Sequence, residues 1–414
     1  MKATGGGAVL AAMTGYAGRV TRQTQGGSVE GPIRIGVLGP ADSPVGQSIF
    51  NSVTLAADEI NGEGGIGGAQ VQVVTKDTKQ DPSTGRAAYQ ELTTGENVDL
   101  TAGIFTSEVL LTILPLMAQQ QTIHLTSGAA TPEAPQQVAA SYDQFKYFFR
   151  VGPVNSHYLG VDMVDFAKAE FGDMGFSSVA VMAEDFKWTE PISAALQGDL
   201  EDTGVDVPYN ERIAGDTQDF TPIYDEIQSQ DVDAVYTVLA HIGTSSLVQW
   251  AKQQRPFQYG GIHVPAQYPN FWELTDGATA YVFAQNTATP QVGPTDQSVP
   301  YANAYNDQFG GYPIYTGYSA YDSVYIYKNA VEQAGSKNAD DLVEPLEGTS
   351  YTGVSGTVEF YGRDSDYPHD VKYGSDLAFP LWYQWQPAGD GGTPAVFYPD
   401  SLADGQYEPA PWTQ

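Results

Sequence analysis

The segment "HLTSGAATPE" (124–133) leaves a short apolar run and presents hydroxyls beside nearly bare backbone: Ser127, Gly128, Ala129, Ala130 and Thr131, just ahead of a proline. A second stretch, "FTSE" (105–108), adds Thr106 and Ser107. Hydroxyls donate and accept, and small side chains let a ligand reach the main chain, so the two stretches could cradle a carboxylate or an amide without a fixed cation. Ser and Thr are also good helix caps, which is the competing account of either loop alone. Two such loops at equivalent strand ends of one predicted lobe favour binding.

Other constellations carry less chemistry. "GEGGIG" (62–67) fits G-x-G-x-x-G but follows a predicted helix and precedes a strand, the reverse of the dinucleotide context, so it reads as a helix stop and turn. The sequence has no G-x-S-x-G elbow, Walker loop, H-E-x-x-H or EF-hand pattern. Its five histidines, His124, His157, His241, His263 and His369, never take i,i+4 metal spacing, and each reads as satisfying a local hydrogen bond. Trp188 reads either as an aromatic lid over a ligand or as core of the following helix. Tyr318, Tyr321 and Tyr325 share one helical face, a core pattern, with Tyr318 nearest the predicted cleft.

These loops need elements to hold them. From Ile33 the chain alternates strand and helix: strands at 33–39, 69–77, 98–105 and 122–126, helices at 48–61 and near 83–94 and 107–119. A second series has strands at 177–185, 231–240 and 260–265 and helices near 189–203 and at 244–254. Alternation of this kind implies right-handed crossovers and a mainly parallel sheet, with ligands collecting beyond the carboxyl ends of the strands. Extended segments at 148–155, 281–291 and 354–361 read as crossings between two lobes, and helices after the second crossing return to the first lobe. The tail from Leu377 reads as an aromatic hairpin. The fold class is α/β, two doubly wound parallel-sheet lobes joined by three hinge crossings. The expected parts are residues 1–31, then 32–152 plus 286–353, and 153–285 plus 354–414.

Composition narrows the partners. With 18 Lys+Arg against 50 Asp+Glu, the net charge of -32 repels phosphate backbones and anionic membranes, which argues against nucleic acid and disfavours acidic substrates. Aromatic residues at 12% mark a folded chain, so the carboxylates read as a solvated shell suited to a salty habitat. With no Cys there is no disulfide or thiolate chemistry. Residues 2–18 are apolar and small, too short for a membrane span, and precede a Gly/Ser-rich tether: the pattern of an export signal, though without twin arginines or a lipoprotein Cys.

At this point the residues resemble a family. "IRIGVLGPADSPVGQSIFNSVTLAADEINGEGGIGGAQVQVVTKDTKQDP" (33–82) is similar to the opening of the branched-chain amino acid type of ABC-transporter solute-binding proteins, the type I periplasmic-binding fold, which includes urea and short-amide receptors. "TSGAATPE" resembles that family's ligand loop, "FFRVGPVN" its first hinge, and "AVMAEDFKWTE" its second-lobe strand and ligand loop. The resemblance implies that Ser107, Ala129 and Thr131 hold a ligand carboxylate and that Trp188 takes an aromatic ligand position. Two departures count against an α-amino acid. Where amino-acid binders carry an acidic residue for the ammonium, this chain has Ala266 and Gln267, and Val45 stands where the first loop often has an aromatic.

The expected function is capture of a small polar solute (an amino acid, urea or amide, or small carboxylate) outside the cytoplasm and delivery to an ABC permease, with no cofactor and no enzymatic step. The membrane enters only through a permease or an anchor. A ligand-sensing receptor on the same fold is the alternative. The expected ligand set is Thr106, Ser107, Ser127, Gly128, Ala129, Thr131, Trp188, Gln267 and Tyr318.

Overall fold

The computed structural model describes residues 29–413. The signal-like segment expected at 1–31 lies almost wholly outside them. In chain order the strands are β1 (Ile33–Gly39), β2 (Val71–Asp77), β3 (Leu100–Gly103), β4 (Ile123–Thr126), β5 (Phe148–Arg150), β6 (Ser178–Glu184), β7 (Asp206–Ile213), β8 (Ala234–Leu239), β9 (Gln258–His263), β10 (Phe283–Asn286), β11 (Ser350–Thr352), β12 (Thr357–Glu359), β13 (Leu381–Ala388) and β14 (Gly391–Tyr398). β1 to β5 form one parallel sheet in the order β2-β1-β3-β4-β5. The second sheet runs β14-β13-β10-β9-β8-β6-β7, parallel except for β13 and β14.

Local sequence accounts for this division. Ile33, Ile35, Val37 and Leu38 of β1 are all fully buried, as expected of a strand with helices on both faces. In the helix Pro44–Gly62, the i, i+4, i+7 series Ile49, Val53, Ala56 and Ile60 faces inward. That helix packs on Tyr315–Ala334, so the late helices belong beside the first sheet. The "GEGGIG" stretch is the turn that sequence implies: Gly65 has φ 83°, and a Cβ there would sit 2.1 Å from the Ala69 carbonyl oxygen. No helix of the described residues is long and apolar enough to cross a membrane.

Several elements are not read from the sequence, among them β7, an edge strand of alternating exposure carrying Pro208, and the helices Glu133–Ala140, Ser156–Met174, Thr221–Ser229 and Ala339–Glu347. The segment expected as the third crossing, 354–361, is held on the first lobe at its start. There the backbone amides of Val354 and Ser355 donate to Asp322 of the late first-lobe helix at 2.9 and 2.8 Å, and Asp370 still bridges Arg150 at the edge of the first sheet. The hairpin expected in the tail is present as β13 and β14.

Candidate functional site

The carboxyl ends of β3 and β4 face those of β6, β8 and β9 across the cleft. The turn out of β3 is strained: Gly103 and Ile104 both have positive φ, 106° and 69°, and Ile104 is β-branched. The Ile104 amide donates to the Leu38 carbonyl at 2.8 Å, and its own carbonyl accepts from Ala129 at 2.9 Å. The second of these, with the Ser127 amide on the Gly103 carbonyl at 3.1 Å, ties the "FTSE" and "TSGAAT" loops into one surface. Gly128 is required by packing, since a Cβ would lie 2.7 Å from the Ile104 carbonyl oxygen and 3.0 Å from the Phe105 Cα.

Between the lobes lies a cavity of about 60 Å³. A single water needs roughly 10–15 Å³, so a compact solute of several non-hydrogen atoms fits. Phe105, Ala130, Leu159, Trp188, Ile262, Val264 and Pro380 give it apolar walls, with Ser107, His241, Gln267, Gln285, Asn286 and Tyr315 as polar points. Among the described residues the wall carries no Lys, Arg, Asp or Glu. The mouth is bridged. The Lys187 amide donates to Glu108 at 3.0 Å, and its ammonium lies 3.3 Å from Glu133.

Behind the wall stands a carboxylate that sequence reading missed. Glu184, at the end of β6, is fully buried and accepts from the Trp188 indole at 2.8 Å, from the amides of Ala240, His241 and Ile242 at 3.0, 2.8 and 3.2 Å, and pairs with His241 Nδ1 at 2.6 Å. Burial pushes its carboxyl up, but the imidazole and amides outweigh that and hold it below the usual value. The His241 ring stacks on Phe186 at 4.0 Å and touches Phe105 of the first lobe at 4.8 Å. The available signal was positional: "AED" and "AHI" end neighbouring strands of one parallel sheet.

Of the residues singled out from sequence, Ser107, Gly128, Trp188 and Gln267 border the cavity. Thr106, Ser127, Ala129 and Thr131 are buried just behind it, and Tyr318 packs away from it on Tyr301. Thr131 serves its own loop. Its amide donates to Ser107 Oγ at 3.2 Å, and its hydroxyl accepts from the Glu133 amide at 3.2 Å. Thr131→Val is therefore expected to cost about 1 kcal/mol of stability in urea titration, as loss of a helix-start acceptor does, with ligand affinity unchanged. A loss of affinity at constant stability would restore the hydroxyl to the ligand. Trp188 is a buried side chain anchored through its indole N–H on Glu184, and it also lines the cavity.

The comparisons agree with this architecture. The family model described as periplasmic binding protein matches residues 32–373. A Leu/Ile/Val-binding protein from Rhizobium johnstonii is 23% identical over 343 residues, covering 81% of this chain and 88% of the relative. The branched-chain amino acid transporter substrate binding protein of Streptococcus pneumoniae, solved with isoleucine, superposes with a TM-score of 0.72 at 17% identity, covering 88% of this chain and 99% of that one. A solute binding protein of an ABC transporter from Rhodopseudomonas palustris, solved with 3,4-dihydroxybenzoic acid, gives 0.74 at 16% identity, covering 92% and 99%. The chain belongs to the periplasmic binding protein family.

Proposed function

We propose that the chain captures a small carboxylate without an α-ammonium outside the cytoplasm and passes it to an ABC permease. The observation carrying this reading is the cavity wall: hydroxyl and backbone groups at one end, apolar sides, and no acidic side chain to meet an ammonium. Glu184 sits behind the wall, but His241, Trp188 and three backbone amides already engage it. A buried ammonium without a counter-charge is strongly disfavoured. The relative solved with 3,4-dihydroxybenzoic acid has such a ligand; the one solved with isoleucine does not.

The test is a pairwise thermal-shift and calorimetric comparison of leucine with 4-methyl-2-oxopentanoate, its amine-free counterpart, alongside benzoate and urea. The carboxylates are expected to stabilise the protein, by about 2.7 kcal/mol at 100 times Kd. Binding of leucine with neither carboxylate would refute the reading.

A further inference from the structure

We infer that His241, backed by Glu184, is the second lobe's ligand anchor, and that it grips an anionic end of the solute as an imidazolium, so that capture takes up a proton. The inference rests on the carboxylate reading above and adds to it a residue, a charge state and a pH dependence.

The geometry begins with the pair itself. Glu184 Oε1 lies 2.6 Å from His241 Nδ1, and the other oxygen is filled by three backbone amides. An ionised carboxylate only accepts, so Nδ1 carries a proton and donates it. The ring orientation is fixed further by Phe186, stacked at 4.0 Å and within 6° of parallel. This leaves Nε2. The side chain is 9% exposed, the ring borders the cavity, and Nε2 is buried with no hydrogen-bond partner among the described residues. A buried polar atom of this kind is costly to leave unpaired, and a bound solute is the partner this position can receive.

Charge balance decides the form of the ring. With Glu184 behind it, an anion in front of a neutral imidazole would place two negative charges in a buried space with no cation between them. The wall itself supplies no Lys or Arg. Lys187, at the mouth, is paired with Glu133, and its amide occupies Glu108 of the first lobe. His263, at the neighbouring strand end, is lowered to about 4 by burial and stays neutral. Tyr268 is pushed up to about 12 by burial and Tyr315 is raised as well, so both stay uncharged and neither adds a further anion beside the ring. His241 is the group left to carry a positive charge, held between two carboxylates when the solute is bound.

Capture of an anion should therefore weaken as pH rises and the ring's proton is lost, by up to about tenfold per pH unit, the limit for one linked proton. The experiment is calorimetric titration of the full chain with benzoate and with 4-methyl-2-oxopentanoate at pH 6 and pH 8, each in two buffers of different ionisation enthalpy. Expected are an affinity lower at pH 8 than at pH 6 and net proton uptake on binding. His241→Gln keeps a polar side chain without a titrating ring; it should lose both the uptake and the pH slope. Binding by the wild type with neither slope nor uptake overturns this inference and leaves the carboxylate reading standing. Uptake that persists in a folded His241→Gln protein also overturns it. Absence of binding of both probes at pH 6 overturns the carboxylate reading and the inference with it. Should the variant fail to fold, the wild-type buffer comparison still decides.

Discussion

Arg150→Met is expected to cost about 3–5 kcal/mol of folding stability, the range for removing one partner of a buried ion pair. Arg150 and Asp370 are both fully buried, with NH1 3.0 Å from Oδ2, and the other guanidinium nitrogen donates to the Thr131 carbonyl at 2.6 Å. Asn155 donates to the same carboxylate oxygen at 2.9 Å. One side chain thus joins the end of the first sheet, the loop carrying Thr131 and the segment around Asp370. Without it, Asp370 is left buried with no cation, and burial already pushes its carboxyl up to about 6 against the pull of the guanidinium.

That last point supplies an internal control. Asp370 can relieve its own isolation by taking a proton, so the loss in Arg150→Met should be smaller at pH 5 than at pH 8. Adding Asp370→Asn should recover part of it, because the double variant buries no lone charge. Urea unfolding of the four proteins at both pH values measures each contribution. A single variant that loses less than about 1 kcal/mol at pH 8, or a double variant no better than the single, would mean the pair is not what holds these segments together.

The sequence displayed the strand–helix alternation and the small-residue loop because both are local: periodicity marks buried faces, and Gly128 followed by two alanines is visible without neighbours. The partners of those residues are not local. Glu184 and His241 meet across 57 positions, and only the parallel pairing of β6 with β8 brings their strand ends together. A buried glutamate in so acidic a chain has no signature of its own. Thr131 shows the opposite difficulty. Its type suits a ligand contact and a helix start equally, and its hydroxyl accepts from the Glu133 amide while keeping a proton to donate. Tyr318 lay correctly on a buried face, but helical spacing does not say which neighbour covers it, and Tyr301 does so away from the cavity. Arg150 read only as part of a hinge strand, since its carboxylate arrives from residue 370.

Asp162→Asn is expected to raise stability at pH 8 by on the order of 3–4 kcal/mol and to change it little near pH 4. Asp162 is buried beside no cation among the described residues, and burial raises its carboxyl to about 7, against the donors Gln285, Trp382 and Tyr373. Those donors stand at 2.7, 3.2 and 3.3 Å. A native value above the unfolded one means that the folded chain holds an extra proton between about pH 4 and pH 7. Stability from this group is therefore greatest at the acid end and falls as pH rises through that window, by about 1.36 kcal/mol for each pH unit crossed. Asn keeps an acceptor for Gln285 and removes the charge, so the wall residue Gln285 keeps its place and solute affinity should be unchanged. Asp322 and Asp370, each raised to about 6, leave the variant a residual slope over the same range. Denaturant unfolding from pH 4 to pH 8 separates the contributions. Parallel stability curves for wild type and Asp162→Asn would show that the native carboxyl is ionised throughout, and that its three donors, rather than a bound proton, offset its burial.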